Sequence, residues 1–291
     1  KPLWFFAPSC LGGEPGHMLL RVLTYNLYLG GANRIDVIHT VLAQANADIV
    51  ALTEADDRRV VETLAERLDM HHVWAPGSGD RHIATLSRFP ILEWRIYNKP
   101  PLTQAVLETK LALTPPSPAG AVQRGRGVGG VGSRPDSITV YNVHLLPYLL
   151  LPFEIRRWQA VGKLLEVIRT QQPGPHLIMG DLNAIAPGDR VLQHKNPARM
   201  RRVMMLQFRL IFRLAIPRLL KAGYVDCFRT LHPNEDGFTW MPGDRTTRYD
   251  YIVADSMLAS SLRACRVVEE DEIEAVTTVS DHFPLLAEFE L

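Results

Sequence analysis

Three cysteines in 291 residues are too few and too widely spaced, at Cys10, Cys227 and Cys265, for a disulfide framework or a zinc signature. A reducing compartment is the default that follows, with the cytoplasm as the expected location. Long apolar runs are also missing, and no stretch supplies the ~18 uninterrupted apolar residues of a membrane span. The short apolar patch from Leu3 to Ala7 is broken up by Pro2, Pro8 and Pro15 and does not make a complete signal peptide. Overall charge is lacking too. With 32 Lys and Arg against 31 Asp and Glu, the formal net charge is +1, so no global field draws the protein towards nucleic acid. Internal repeats are absent. What is present, 46% hydrophobic and 22% charged residues, is the balance of a soluble globular protein, expected to be a monomer.

Strands are predicted at Leu19 to Leu27, Asp48 to Thr53, His71 to Ala75, Ile83 to Ser87, Ile91 to Tyr97, Ala105 to Leu113 and Ser137 to His144. Others are predicted at Leu177 to Met179, Gly237 to Trp240, Arg248 to Ala254, Leu262 to Val268 and Leu285 to Glu290. Helical spacing runs through Ile35, Ile38, Val41, Leu42 and Ala45, and again through Ile155, Trp158, Val161, Leu165 and Ile168. Strands outnumber helices and several are hairpin-connected, which argues against a purely parallel doubly wound sheet. Residues 1–18 read as an extension outside the core, and 19–291 as one domain. Within it, 114–136 is rich in Pro, Gly and Arg and reads as a flexible hairpin tip, with Arg124, Arg126 and Arg134 solvated.

Polar residues recur where apolar strands end. Leu177-Ile178-Met179-Gly180 leads to Asp181 and, two residues on, Asn183. An Asx turn closing a strand accounts for that pair taken alone. The pattern repeats, however, at Asn26, Glu54, His144, Asp250, Asp281 and His282. Glu54 is surplus to helix capping, because Asp56 and Asp57 serve that purpose equally well. A metal-dependent phosphoester hydrolase needs this inventory. Hard oxygen ligands such as Asn26, Glu54 and Asp281 suit Mg²⁺ or Mn²⁺. In-line attack by water on phosphorus needs a group that orients or deprotonates the water, and donors facing the equatorial oxygens. Asp250 can hold His282 in one tautomer.

Tyr25-Asn26, Thr53-Glu54, Ser87-Arg88-Phe89-Pro90, Asn142-Val143-His144-Leu145, Gly180-Asp181-Leu182-Asn183, Arg248-Tyr249-Asp250-Tyr251 and Ser280-Asp281-His282-Phe283-Pro284 resemble, in order, the motifs of the endonuclease/exonuclease/phosphatase superfamily. Pancreatic deoxyribonuclease, abasic-site endonucleases, inositol-polyphosphate 5-phosphatases and bacterial sphingomyelinases belong to that superfamily. The resemblance implies an α/β fold, a four-layered α/β/β/α sandwich of two mixed β-sheets packed face to face with helices outside. It implies Glu54 as the principal metal ligand, with Asn26 and Asp281 near the metal. Asp181 and Asn183 would orient water and phosphate, His144 would contact the scissile phosphate, and Asp250 with His282 would supply acid–base function. Whether Asp181 or His282 takes the proton stays open. A serine triad is excluded because Ser280, Asp281 and His282 are neighbours and no G-x-S-x-G elbow exists; no H-E-x-x-H zinc site is present either. A catalytically inactive, membrane- or protein-binding member is the remaining alternative. Such members usually lack a carboxylate or the terminal His, and here all are present.

Two segments follow catalytic strands and are expected at the mouth of the site, 145–153 and 199–221. The region from Lys195 to Lys221 contains eight Lys and Arg and no Asp or Glu. On a helical wheel Arg202, Arg209 and Arg213 share a stripe amid Met204, Met205, Leu206, Phe208, Leu210, Ile211 and Phe212. That pattern suits a basic, apolar interfacial helix at an anionic membrane. The other reading is a helix packed on the protein with its arginines in water. A nucleic-acid reader would interleave its basic residues with polar and stacking side chains. The expected substrate is therefore a lipid-linked phosphodiester, with DNA or RNA as the alternative.

Overall fold

Strands buried on both faces carry apolar residues at every position, and here the two parities of each strand face different cores. In β1 (Leu19–Asn26), Leu20 and Val22 enter one apolar cluster while Leu23 and Tyr25 enter another. The same division separates Ile49 and Ala51 from Val50 and Leu52 in β2 (Ile49–Thr53). The structure is a computed structural model and describes residues 18–77, 79, 81–102, 104–113 and 135–291. Nearly all of the extension expected over 1–18 and of the loop expected over 114–136, including Arg124, Arg126 and Arg134, lies outside them.

The remaining strands are β3 (His71–Ala75), β4 (Ile83–Ser87), β5 (Ile91–Tyr97), β6 (Val106–Ala112), β7 (Ser137–Val143) and β8 (His176–Asp181). They are followed by β9 (Val225–Asp226), β10 (Asp250–Ala254), β11 (Leu262–Val267) and β12 (Leu285–Glu290). One six-stranded sheet has the order β11-β12-β1-β2-β4-β3, the other β5-β6-β7-β8-β10-β9. Each is antiparallel apart from one central parallel pair, β1 with β2 and β7 with β8. A parallel pair needs a helical crossover; α1 (Ile35–Ala45) supplies one and α3 (Leu151–Gln171) the other. The helices α2 (Arg58–Leu68), α4 (Ala198–Met205), α5 (Ala215–Lys221), α6 (Cys227–Leu231), α7 (Ser256–Ala259) and α8 (Val276–Val279) complete the described fold.

Three apolar layers define the sandwich. Leu20, Val22 and Ile49 of the first sheet meet Val140, Leu177, Met179 and Ile252 of the second between the sheets. Behind the first sheet, Leu23 and Leu52 pack on α1 and α2 through Ile38, Val41, Val61 and Leu64. Behind the second, Tyr141 and Ile178 pack on α3 and α5 through Val161, Leu164, Ile216 and Leu219. This is the expected four-layered α/β/β/α sandwich. A polar staple crosses the central layer, where the buried Asn142 amide donates to the carbonyls of Leu52 and Ala84 at 3.0 and 2.7 Å.

Three local expectations are corrected. The strand expected over 237–240 is reduced to isolated bridges from Trp240 to Thr247 and His282. The strand expected from Arg248 starts at Asp250, because the N–H groups of Tyr249 and Asp250 are taken by the Thr239 hydroxyl, while the Arg248 side chain enters a buried ion cluster with Asp189 and Asp226. The single helix expected over 199–221 is two short helices, α4 and α5, with Phe208 and Arg209 between them at φ 54° and 58°. Pro217 lies in the first turn of α5 and, with no N–H for the carbonyl of Arg213 and a ring that collides with it, stops that helix from extending back to α4. The arginine stripe breaks up with the helix. Arg213 folds inward and donates to the carbonyls of Ala186 and Asp189 at 3.2 and 2.9 Å.

Candidate active site

Both parallel pairs run the same way into one end of the sandwich, so their strand ends deliver side chains to one place. Asn26 ends β1, Glu54 follows β2, His144 follows β7 and Asp181 ends β8. Antiparallel pairing brings in the rest. Asp250 opens β10 directly opposite Asp181, and His282 lies just before β12, the antiparallel neighbour of β1. The close approach of β7 to β8 requires a glycine: at φ 137°, a Cβ on Gly180 would lie 1.9 Å from the Val143 carbonyl oxygen.

These side chains converge. The Asn26 amide donates to Asp181 Oδ2 at 3.1 Å and to Glu54 Oε1 at 3.3 Å. Glu54 Oε2 accepts the Leu29 N–H at 3.1 Å. Asp250 Oδ2 and His282 Nδ1 are 2.7 Å apart. The Nε2 atoms of His144 and His282 stand 3.7 and 3.8 Å from the same oxygen, Asp181 Oδ2. Asp181 Oδ1 accepts the Asn183 N–H at 2.9 Å, so the Asx turn and the site coexist in one carboxylate. The Asn183 amide in turn donates to the carbonyl of Leu145, next to His144, at 3.0 Å. Glu54 and Asn183 both sit in the left-handed region, at φ 49° and 46°. That conformation costs a glutamate on the order of 1 kcal/mol and recurs where function fixes a side chain.

Burial and crowding of charge separate the proton affinities. Burial pushes Asp181 up to about 7, the neighbouring Asp250 and Glu54 carboxylates adding to it against the pull of His282. Burial works against charge on His282 as well, but Asp250, through charge and hydrogen bond, outweighs it and raises the imidazole to about 10. Burial holds His144 down to about 4, so at neutral pH it faces Asp181 as a neutral ring. For Glu54, burial is overcome by His144, the Leu29 N–H and Arg81, and its affinity for a proton falls below the ordinary value. Burial raises Asp281.

The donor set fits a divalent cation. Oxygen and nitrogen ligand atoms of Asp181, Asp250 and His282 lie within 4.8 Å of one another. Glu54 and Asp281 add carboxylates beside them, and each raises the proton affinity of its neighbours by its charge. Asp250 Oδ1 is buried with no hydrogen-bond partner among the described residues. The Arg81 guanidinium lies directly on Glu54 Oε1, where it provides a positive charge for the carboxylate. Hard oxygen donors are the surroundings such a cation prefers.

The eight strand-end polar residues singled out in the sequence thus meet at one end of the sandwich. Four others were missed. Arg81 pairs with Glu54 from a loop with no pattern of its own. Trp240 donates its indole N–H to Asp281 Oδ2 at 3.4 Å. Thr239 Oγ1 accepts the N–H groups of Tyr249 and Asp250 at 3.0 and 3.2 Å. Ser280 Oγ donates to the Asn26 carbonyl at 2.7 Å and accepts the His282 N–H at 3.1 Å. The Ser280-Asp281-His282 motif signalled the serine; no sequence signal marked the other three.

This is the fold of a family of phosphoesterases. The sequence pattern of the Endonuclease/Exonuclease/phosphatase family matches residues 23–282, and the chain belongs to that family, whose members hydrolyse phosphoester bonds. A comparison with curated proteins gives no match. Among solved structures, the 3′ phosphatase NExo from Neisseria, bound to a product DNA hairpin, is 19% identical with a TM-score of 0.67, over 94% of this chain and 100% of that one. An AP endonuclease from Archaeoglobus fulgidus is 20% identical with a TM-score of 0.65, over 93% and 99% of the two chains. An endonuclease/exonuclease/phosphatase family protein from Leptotrichia buccalis is 16% identical with a TM-score of 0.60, over 94% and 100%. Likeness at these identities shows the fold.

Proposed function

We propose that the protein is a Mg²⁺- or Mn²⁺-dependent hydrolase of phosphodiesters that carry a lipid group, and that it works against an anionic membrane surface. Glu54, with Asn26 and Asp281, holds the cation. His282 Nδ1 is engaged by Asp250 Oδ2, and the cation would share the Glu54 carboxylate with Arg81. When bound, the cation would supply neutralisation of the negative charge on the phosphoryl group. Asp181, whose proton affinity lies near neutrality, takes a proton from the attacking water as its oxygen bonds to phosphorus. His282, protonated and backed by Asp250, faces the opposing charge and returns a proton to the leaving oxygen as the ester P–O bond breaks. His144, neutral, donates to a phosphoryl oxygen, and Asn183 fixes the Asp181 carboxylate.

One observation carries the lipid reading. Exposed apolar side chains gather in the segment between α4 and α5, with Leu206 80% and Phe208 89% exposed, in a region with eight cations and no carboxylate. This segment packs beside the site, since its Ile211 packs, as Trp240 does, on the apolar cluster of Leu149, Met204 and Tyr249. Apolar side chains surrounded by cations suit insertion at an anionic lipid surface. Among the described residues no helix is long and apolar enough to cross a membrane. A nuclease is the competing reading, favoured by the DNA bound in the Neisseria structure.

Mg²⁺-dependent cleavage of sphingomyelin and phospholipid vesicles is to be measured against plasmid DNA, with His282→Ala in parallel. Vesicle cleavage that vanishes in the variant is the expected result. Cleavage of DNA alone would overturn the lipid reading and recast the arginines as backbone contacts.

A further inference from the structure

An apolar cavity of about 190 Å³ opens between α4 and the segment before α3. Leu149, Leu150, Met200, Val203 and Met204 wall it, Arg199 is its one charged lining residue, and Trp240 lines it as well. Trp240 belongs to two places at once. Its ring lines the cavity, its indole N–H reaches Asp281 at 3.4 Å, and its backbone bridges to His282. A group esterified to a phosphate among Asp181, His144 and His282 therefore has the cavity one side chain away.

We infer that this cavity is a hydrocarbon subsite, which takes the first carbons of an alkyl or acyl chain attached to the scissile phosphate. The inference rests on the hydrolase reading and assigns the substrate's hydrocarbon to a cavity of its own beside that site. Chemistry decides the occupant. The Trp240 indole N–H is already engaged by Asp281, which leaves Tyr148 and Arg199 as the other polar side chains in a lining that is otherwise aliphatic. A nucleobase or sugar placed there would give up more hydrogen bonds to water than these few groups replace, whereas a methylene chain gives up none. Methionines at 200 and 204 adapt to a flexible chain. The volume, roughly six times the ~30 Å³ that a water molecule occupies in the liquid, admits about six carbons.

The walls are held apart rather than left to collapse. The Gln207 amide donates to the Leu149 carbonyl at 2.6 Å and its oxygen accepts the Leu151 N–H at 3.2 Å. Glu154, buried in the first turn of α3, accepts the N–H groups of Leu214 and Ala215 at 2.6 and 2.9 Å. These bonds tie the chain at Gln207 to Leu149 and Leu151, and at Leu214 and Ala215 to the first turn of α3. The cavity is part of the frame.

Two measurements test the subsite, both on the full chain with Mg²⁺. Calorimetric titration with methylphosphonate and hexylphosphonate reads the cavity without turnover. Hexylphosphonate is expected to bind at least tenfold tighter, an advantage that Met200→Trp and, separately, Val203→Trp abolish by filling the space. Equal affinity of the two phosphonates in the wild type overturns the proposal. Hydrolysis of 4-nitrophenyl alkyl phosphodiesters, kept below their micelle concentrations, reads the same site in turnover. There kcat/KM is expected to rise roughly two- to fourfold per methylene up to about six carbons and then level. A flat wild-type profile, or one that still climbs in both filled variants, sends the chain elsewhere and overturns the subsite. Tighter hexylphosphonate binding without hydrolysis of any diester would support the subsite and instead sink the hydrolase reading.

Discussion

Asp181 Oδ1 accepts the Asn183 N–H, and Oδ2 accepts the Asn26 amide with two imidazoles close by, yet burial still raises its proton affinity to about 7. A carboxyl group that binds its proton more tightly folded than unfolded adds stability only while protonated. That contribution is complete below its ordinary value of 3.8 and is lost as pH climbs to about 7. Above pH 7, in the absence of a cation, the ionised carboxylate is a liability. Asp181→Asn is therefore expected to melt higher than the wild type at pH 8 in EDTA, by about 1–3 kcal/mol of stability, while losing hydrolysis. A lower melting temperature at pH 8 would show that the carboxylate is already compensated. His282 has the opposite sign. Its raised value means that its charged form stabilises the fold fully below 6.5, with the contribution lost as pH rises through about 10. With Asp181 as base and His282 as acid, kcat/KM at low Mg²⁺ should climb through about 7 and fall through about 10. Asp250→Asn should bring the alkaline limb down, because Asp250 holds the proton on His282. An alkaline limb that stays put in Asp250→Asn would remove His282 from the acid role.

At the scale of elements, β10 is positioned by an ion cluster beneath it. Arg248, fully buried, donates through Nε to Asp189 at 2.9 Å and through both terminal nitrogens to Asp226 at 2.9 and 2.7 Å, two residues before Asp250. Arg248→Ala leaves two carboxylates buried, one of them still paired with Arg229, and is expected to cost about 3–5 kcal/mol in denaturant unfolding. A loss below about 1 kcal/mol would show that the cluster does not support the strand. The sequence already contained much of this architecture where the signal is local. His71–Ala75, Ile83–Ser87 and Ile91–Tyr97 form strands at the predicted residues, because short apolar runs bounded by turns need no distant partner to be recognised. Asn26, Glu54, His144 and Asp181 were legible because each simply ends a strand. Arg81, Thr239 and Trp240 were not, since their roles exist only once residues far apart in the chain meet. The region 199–221 misled for a different reason. The helical wheel registered its arginines and apolar residues, but the proline at 217, a local and decisive signal against one helix, carried no weight on the wheel.

For the molecule as a whole, the consequence of two short helices is a rim rather than an amphipathic cylinder. Arg213 turns inward, so the cationic stripe of an ideal helix is not available, and the exposed apolar contact falls on the linker that carries Leu206 and Phe208. Insertion of such side chains depends on transfer of apolar surface, about 1.5–3 kcal/mol for each when fully buried, and only secondarily on the attraction of anionic headgroups, which salt screens within about 8–10 Å. Leu206→Ser with Phe208→Ser is therefore expected to weaken binding to phosphatidylserine-containing vesicles at least tenfold, measured by sedimentation in EDTA so that no turnover occurs. Raising the salt should weaken wild-type binding by a smaller factor. Hydrolysis of a soluble methyl 4-nitrophenyl phosphodiester should be unchanged in the double variant, because neither side chain lines the site. Undiminished vesicle binding would return the rim to the status of exposed surface, with the arginines merely solvated. Binding abolished by salt but indifferent to the serines would make the surface an electrostatic one, open to any polyanion, nucleic acid included.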